Sequence, residues 1–309
     1  MKIVFVGSGN RKQGEVLPIV QAQADSLLRE GIDLIIYPVV GSGLVGYLKN
    51  VFSLAKMIRR EKPNVVHAHY SLCGYIARLA TTRPIVVSIM GSFPTNSRKR
   101  KFVKWCIRNA WNTTIVKSKR TEEQLAEKGL YVIPNGVNLE LFGTIEKSEA
   151  RKRCGFDPKK QYVIFVSNPQ RSEKRYDLAQ KAVELLGNNN VELIPVYNQP
   201  HYKIAEYMIA ADALILTSIQ EGSPNVVKEA MASNCPVVAT NVGDVKWLLD
   251  GVTGSYVANT FEAEEVAALL KRVLTDKSSN GRERLIEIGL DSKTVANKLI
   301  QIYEQTCQN

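Results

Sequence analysis

The sequence predicts an α/β protein made of two doubly wound parallel-sheet domains, and two observations predict it. Short runs of valine, isoleucine and leucine alternate with segments of helical period, and the alternation starts afresh at residue 161. Strands that are apolar throughout belong to parallel sheets covered on both faces. The length of 309 residues suits two domains. A hydrophobic content of 45% is ample for a core in each.

The elements follow in order. MKIVFVGSG is too short and too glycine-broken for a secretory leader and makes the first strand. GEVLPIVQAQADSLLREG makes a helix that stops at Gly31. IDLIIYPVV is a strand and LVGYLKNVFSLAKMIRREKP one helix. NVVHAHY, PIVVSIM and TTIVKS are strands, with helices at 72–80 and 98–111 between them. YVIPNGV closes the first half with a short strand and a turn, and the charged, irregular residues 143–160 read as a linker. The second half runs strand QYVIFVSN, helix DLAQKAVELLG, strand VELIPVYN, helix HYKIAEYMIAA, strand DALILTS, helix VKEAMASN and strand PVVATNVG. Helices FEAEEVAALLKRVLTD and TVANKLIQIYEQT complete it.

Charge and cysteine usage narrow the function. Residues 1–148 hold 22 Lys/Arg and 10 Asp/Glu, a net +12, whereas residues 149–309 hold 19 and 20, a net −1. Residues 62–121 contain 12 basic residues and no acid. A partner with negative charge fits that asymmetry, as does a solvated basic face. Cys73, Cys106, Cys154, Cys235 and Cys307 are scattered, without the spacing of a zinc site, so a reduced cytoplasmic protein is expected. No apolar run approaches the roughly 18–20 residues that span a bilayer.

In open parallel sheets ligands bind beyond the carboxyl ends of the strands. DALILTS ends at such a place, and EGSPNVVKEA follows it. Ser223 suits a helix N-cap and Pro224 the first helical position, where its missing N–H does no harm. Glu221 then lies in the loop and Glu229 inside the helix. The free amides of Asn225, Val226 and Val227 form an anion site reinforced by the helix dipole. Ionised carboxylates accept hydrogen bonds from diols. A diphosphate with a ribose on one side and a sugar on the other fits that order. Taken alone, the two glutamates are more simply a loop acid and a solvated helix residue.

They do not stand alone. EGSPNVVKEAMA resembles the Glu-x7-Glu signature of retaining glycosyltransferases of family four. The likeness extends over residues 212–257, where S-x-x-EG, EAMA, PVVAT, VG and GVTG fall in the family's order. It implies the GT-B fold, two Rossmann-like domains facing each other across a cleft. Expected limits are 1–147 for an acceptor-side domain and 148–290 for a donor domain, with a helix at 291–309 crossing back to the first. The resemblance implies that Glu229 binds the ribose diol and Glu221 hydroxyls of the transferred sugar. FVSNPQRSEKRYDLAQKAV is similar to the family's diphosphate loop, and Arg171 and Lys174 match its basic pair. Ser167 and Asn168 stand where the family has Gly-Arg, so Arg171 is taken as the arginine and Asn168 as a further donor contact. Implied chemistry is front-face attack with retained anomeric configuration, the departing diphosphate taking the acceptor's proton. No Asp-x-Asp pair is present, so no catalytic metal is expected, and no cofactor besides the nucleotide-diphosphate sugar itself.

The first domain matches more thinly. In the family a glycine at the start of the helix after strand one approaches the donor, and Gly14 in GSGNRKQG is the counterpart. HAHY resembles the family's His-x-His strand end, which makes His69 an acceptor contact or proton relay; packing of a buried histidine accounts for it equally. In SIMGSF, Met90 and Phe93 replace the usual histidine and aspartate, leaving Gly91 and Ser92 as backbone contacts. IPNGVN resembles the turn that closes the first domain, with Asn138 in place of aspartate. The helix from Arg98 to Trp111 places Phe102, Val103, Cys106, Ile107 and Ala110 on an apolar stripe. Lys101, Lys104 and Arg108 lie opposite, with Trp105 and Trp111 at the margins. Lysine with tryptophan suits the headgroups of an anionic membrane, and a core helix with a solvated basic back and half-buried tryptophans gives the same pattern.

The expected function is transfer of a sugar from a nucleotide-diphosphate sugar to a lipid-linked or growing glycan acceptor, at the inner face of the cell membrane. Three other readings stay open: a GT-B phosphorylase or epimerase, a non-catalytic nucleotide-sugar binder, and a nucleic-acid binder held by the same basic patch.

Overall fold

The computed structural model describes residues 1–10, 14–90, 97–143, 145–276 and 278–308. The chain divides into two compact units, Met1–Gly136 with Ser292–Asn309, and Val137–Asp291. The change of unit falls ahead of the charged stretch at 143–160 read above as a linker. That stretch instead contains a helix, Lys147–Cys154. Its charges have a partner in the second unit: Arg151 Nη2 lies 2.6 Å and Lys147 Nζ 3.1 Å from the buried carboxylate of Asp212. Asp212 also accepts the Tyr162 amide at 2.8 Å, so a polar residue at the head of an apolar strand is satisfied.

The first unit is a six-stranded sheet in the order β2-β1-β3-β4-β5-β6. Its strands are β1 Lys2–Ser8, β2 Asp33–Val39, β3 Val65–His69, β4 Ile85–Ile89, β5 Thr113–Val116 and β6 Leu130–Val132. All neighbours pair in parallel. β3 and β4 are buried along their whole length, which is why they are mostly apolar, the exceptions being His67, His69 and Ser88. The connecting helices are α1 Pro18–Arg29, α2 Gly43–Leu48, α3 Val51–Glu61, α4 Ser71–Ala80, α5 Ser97–Asn109 and α6 Lys119–Leu125. The helix expected over 44–63 is thus two. The break at Lys49–Asn50 is held by Asn50, whose side-chain amide donates to the carbonyls of Gly46 and Tyr47 and to that of Val40.

The 98–111 helix divides its faces differently from the expected pattern. Val103 and Cys106 are buried as expected, but Phe102 is exposed and Trp111, beyond the end of α5, is buried. Phe102 covers Tyr75 of α4 from outside, ring centroids 4.9 Å apart, and Trp111 stacks beneath the same ring. Two of the opposite-face cations are neutralised within the unit. Glu127 takes a bidentate pair from Arg108 at 2.7 Å, and Lys104 lies 3.5 Å away.

The second unit begins with α7 Lys147–Cys154 and holds a five-stranded parallel sheet in the order β11-β10-β9-β7-β8. Its strands are β7 Gln161–Phe165, β8 Val191–Pro195, β9 Ala213–Leu216, β10 Val237–Thr240 and β11 Tyr256–Ala258. The helices are α8 Tyr176–Glu184, α9 His201–Ala210, α10 Asn225–Ala232, α11 Val245–Leu248, α12 Ala263–Asp276 and α13 Gly281–Glu287. The final helix, α14 Ser292–Gln308, belongs to the first unit. Strand order reverses between β7 and β9, so the loops leaving those two carboxyl ends flank the switch point of this sheet.

Candidate functional site

The loops after β7 and β9 meet. After β7 the chain makes a short 3-10 turn, Ser172–Lys174, and Arg175 adopts a left-handed conformation before α8. Thr217, just past β9, ties down that turn by donating its hydroxyl to the carbonyls of Lys174 at 2.9 Å and Arg175 at 2.8 Å. The Ile219 amide donates to Glu173 O at 3.0 Å. These bonds fix the two loops to one another and bring Lys174 to Glu221, whose Oε1 accepts from the Lys174 ammonium. The same oxygen accepts the Ser218 hydroxyl at 2.8 Å. Both side chains of the ion pair are largely buried, at 16% and 15% exposure, so water screens it weakly.

Glu229 sits one and a half turns into α10, and its Oε1 lies 3.0 Å from His201 Nε2 at the first residue of α9. That hydrogen bond raises the His201 pKa against the opposing effect of burial. The His201 ring packs edge-on against Phe142, centroids 5.3 Å apart. α10 begins at Asn225, so its first-turn amides belong to Asn225, Val226 and Val227. The cap is one residue later than expected: Pro224 has ψ 116°, still extended, and is itself the N-cap. Ser223 lies outside the helix, its buried hydroxyl making no hydrogen bond of good geometry among the described residues.

Behind the glutamates are two charged residues that motif reasoning passed over. Lys228 is fully buried, and loss of hydration pushes its pKa down to about 8 although Asp244 and Glu229 oppose the shift. Burial pushes Asp244 up to about 6, while Lys228 and the nearby Ser223 hydroxyl pull it down. Asp244 follows Gly243, whose φ is +58° and whose missing Cβ would lie 2.4 Å from Gly222 O. Only glycine lets the turn after β10 press against the backbone beside Glu221. For Lys228 the signal was a lysine at an otherwise apolar helix position, and for His201 a histidine directly after a proline. Neither spacing names Asp244 as the neighbour of the first or Glu229 as the partner of the second.

The other predicted residues are placed as follows. Asn168 and Arg171 share the β7 loop. Asn168 Oδ1 accepts the Gln170 amide at 3.0 Å, and Arg171 is half exposed and paired with Glu173 at 2.6 Å rather than with either glutamate of the motif. Gly14 has φ +78° with open space where a Cβ would be. His69 is fully buried at the end of β3, stacked on His67 at 4.4 Å and edge-on to Phe5 at 4.6 Å. Neither ring nitrogen makes a hydrogen bond among the described residues, and burial, with Lys117 nearby, lowers its pKa to about 3. Its ring is neutral. Gly91 and Ser92, and residues 11–13 of the first glycine-rich loop, lie outside the described residues.

Two family descriptions match the chain: Glycosyltransferase Family 4 over residues 8–141 and Glycosyl transferases group 1 over residues 159–276. The chain is 24% identical to the Escherichia coli UDP-Gal:alpha-D-GlcNAc-diphosphoundecaprenol alpha-1,3-galactosyltransferase, covering 83% of this chain and 76% of that one. It is 27% identical to the putative teichuronic acid biosynthesis glycosyltransferase TuaC of Bacillus subtilis, covering 60% of this chain and only 55% of the relative. Among solved structures, Anabaena Alr3699/HepE in complex with UDP and glucose superposes with a TM-score of 0.77 at 15% identity, covering 99% of this chain and 100% of that one. That likeness establishes the fold, which is GT-B.

Proposed function

The chain belongs to glycosyltransferase family four, and from that premise we propose that it transfers a sugar, with retention of anomeric configuration, from a nucleotide-diphosphate sugar to a lipid-linked or growing glycan acceptor in surface polysaccharide synthesis. The observation that supports this best is the buried Lys174–Glu221 pair at the β7/β9 switch point, beside a helix whose first amides are those of Asn225 to Val227. In this reading the amides and Lys174 hold the diphosphate. Charge grows on that group as the glycosyl bond breaks, and a fixed ammonium in a poorly hydrated setting stabilises it. Arg171 breaks its exposed pair with Glu173 to join Lys174, since a surface pair of that kind is worth little. Glu229, already oriented by His201, takes the ribose diol, and Glu221 takes hydroxyls of the sugar. The protein supplies the diphosphate's countercharge with side chains, and the departing diphosphate takes the acceptor's proton, so the buried neutral His69 has packing as its first role.

The E. coli relative is named for a UDP-sugar and a diphosphoundecaprenol acceptor, which puts UDP-sugars and polyprenyl diphosphate acceptors first in a screen. Thermal denaturation with UDP-, GDP-, ADP- and TDP-sugars identifies the donor, because a ligand bound to the native state raises its melting temperature. With donor and acceptor in hand, Glu221→Gln and Lys174→Ala each lower kcat by about 10²–10³, the usual loss for one preorganised electrostatic contact. Nuclear magnetic resonance of the anomeric proton reads the stereochemistry. Turnover that survives both substitutions, or an inverted product, refutes the assignment. No helix among the described residues is long and apolar enough to cross a membrane.

A further inference from the structure

The element between β2 and α3 has a composition unusual for an exposed helix. α2 reads Gly-Leu-Val-Gly-Tyr-Leu, with no charged side chain in it. Only Tyr47 turns inward to the core. Leu44, Val45 and Leu48 point outward, as do Val40 before the helix and Phe52 at the start of α3; Phe52 is 84% and Val45 71% exposed. Single exposed apolar residues are ordinary, but a contiguous crest of them marks a contact surface.

The crest is held in place. Gly41 and Gly46 touch backbone to backbone, so closely that a Cβ on Gly41 would lie 2.7 Å from Gly46 O. Asn10 exchanges two hydrogen bonds with the Gly41 backbone, at 2.7 and 2.8 Å. Asn50 closes the other end through its bonds to Val40 O, Gly46 O and Tyr47 O. A segment pinned by two asparagines and a glycine pair presents its apolar side chains outward by construction.

The stretch of sequence that carries it is cationic. Residues 34–121 contain 16 basic residues and one acid, Glu61. That acid is already paired, with Lys2 at 2.7 Å and Arg60 at 2.7 Å. Lys49, Lys56 and Arg59 are exposed on the elements carrying the crest. Position adds to this. In a parallel sheet every strand ends at the same edge, so α2, α4 and α5 all leave the carboxyl edge. α2 packs on α4, and α4 carries Tyr75, which Phe102 of α5 covers. The exposed Phe102 and Trp105 thus share the crest's side of the sheet.

We propose that the crest formed by Val40, Leu44, Val45, Leu48 and Phe52 inserts into the headgroup region of an anionic membrane leaflet, with the surrounding lysines and arginines held to lipid phosphates. This rests on the membrane-linked acceptor reading above and moves the principal contact from α5 to α2. α5 serves as a flank, because Glu127 already occupies Lys104 and Arg108. An anionic leaflet is the partner that matches both features: apolar side chains enter the interface and the unbalanced positive charge is attracted to it. A second copy of this chain would bring the same positive charge against itself, and an uncharged apolar groove would leave the lysines without a role.

Vesicle flotation tests this with the whole chain. Phosphatidylglycerol vesicles should carry the protein upward and phosphatidylcholine vesicles should not, and the binding should weaken in high salt. Val45→Glu with Phe52→Glu should lower the partition at least tenfold while leaving the melting temperature and the donor-induced thermal shift unchanged, since both side chains are exposed. Lys101→Ala with Arg100→Ala, on α5, should lower it less. The proposal is overturned if the crest variant floats like the parent, if neutral vesicles bind equally, or if the parent sedimentation-equilibrates as a dimer that the crest variant dissociates. Flotation requires no donor, so a thermal-shift screen that finds no nucleotide sugar would remove the donor reading and leave this result standing.

Discussion

At the scale of single residues, the contact between His201 and Glu229 makes the site sensitive to pH. Glu229 raises the folded-state pKa of His201 above its ordinary 6.5 by accepting its hydrogen bond. The imidazolium is therefore favoured in the native state. Its contribution to stability is fully present below pH 6.5 and is lost as pH rises through the elevated native value. The side chain is 35% exposed, so solvent screening holds the expected contribution to about 1 kcal/mol. Melting temperature should fall across that interval, and His201→Asn should flatten the fall. If Glu229 binds the donor ribose, KM for the donor rises over the same pH range while kcat moves less. A flat KM profile in the parent would separate His201 from donor binding. The EGSPNVVKEA motif pointed to Glu229, yet its partner 28 residues earlier stayed hidden, because a hydrogen bond across two helices leaves no spacing to read.

At the scale of elements, the loop bearing Glu221 is shaped from outside by the turn after β10. Gly243 at φ +58° lies against Gly222 O, and a Cβ there meets that oxygen at 2.4 Å. Gly243→Ala should cost about 2–3 kcal/mol, from the left-handed backbone penalty together with the displaced carbonyl. Because the displaced loop carries Glu221, turnover should drop by more than the fraction unfolded explains; a loss of stability with turnover per folded molecule intact would refute the coupling. Helices and strands long enough to show a period were legible: β7, β9, α10 and α12 lie within a few residues of their expected places. Short or charged elements were not. α7 looks like a linker because two of its cations, Lys147 and Arg151, are matched by Asp212, some sixty residues later. α5 looks two-faced because its sequence cannot show Glu127 neutralising one face. α11 and β11 span a turn or less and carry no period at all.

At the scale of the whole chain, the last helix returns to the first unit, and its removal should act there. α14 buries Val295, Ala296, Leu299, Ile302, Tyr303 and Thr306 against α1, β3 and β4. Tyr303 OH lies 2.6 Å from His67 Nδ1, and Thr306 Oγ1 2.8 Å from Thr113 Oγ1. His67 is fully buried, its other nitrogen is bonded to Ser88 at 2.9 Å, and burial keeps its pKa well below 6.5, so it sits there as a neutral ring. Burying each large apolar side chain is worth about 1.5–3 kcal/mol, so losing this helix removes an amount on the order of a domain's whole stability of ~5–15 kcal/mol. A chain ending at Asp291 should therefore lose the unfolding transition of the first unit in calorimetry. The second unit retains its own sheet and core, and with them its transition and its melting-temperature response to the donor. Tyr303→Phe should act in the same place more gently, lowering the first transition by about 1–3 kcal/mol through the unpaired His67 nitrogen. Two transitions surviving the truncation unchanged would show that α14 contributes nothing to the core it covers, whereas loss of both would show that the second unit depends on the first to fold.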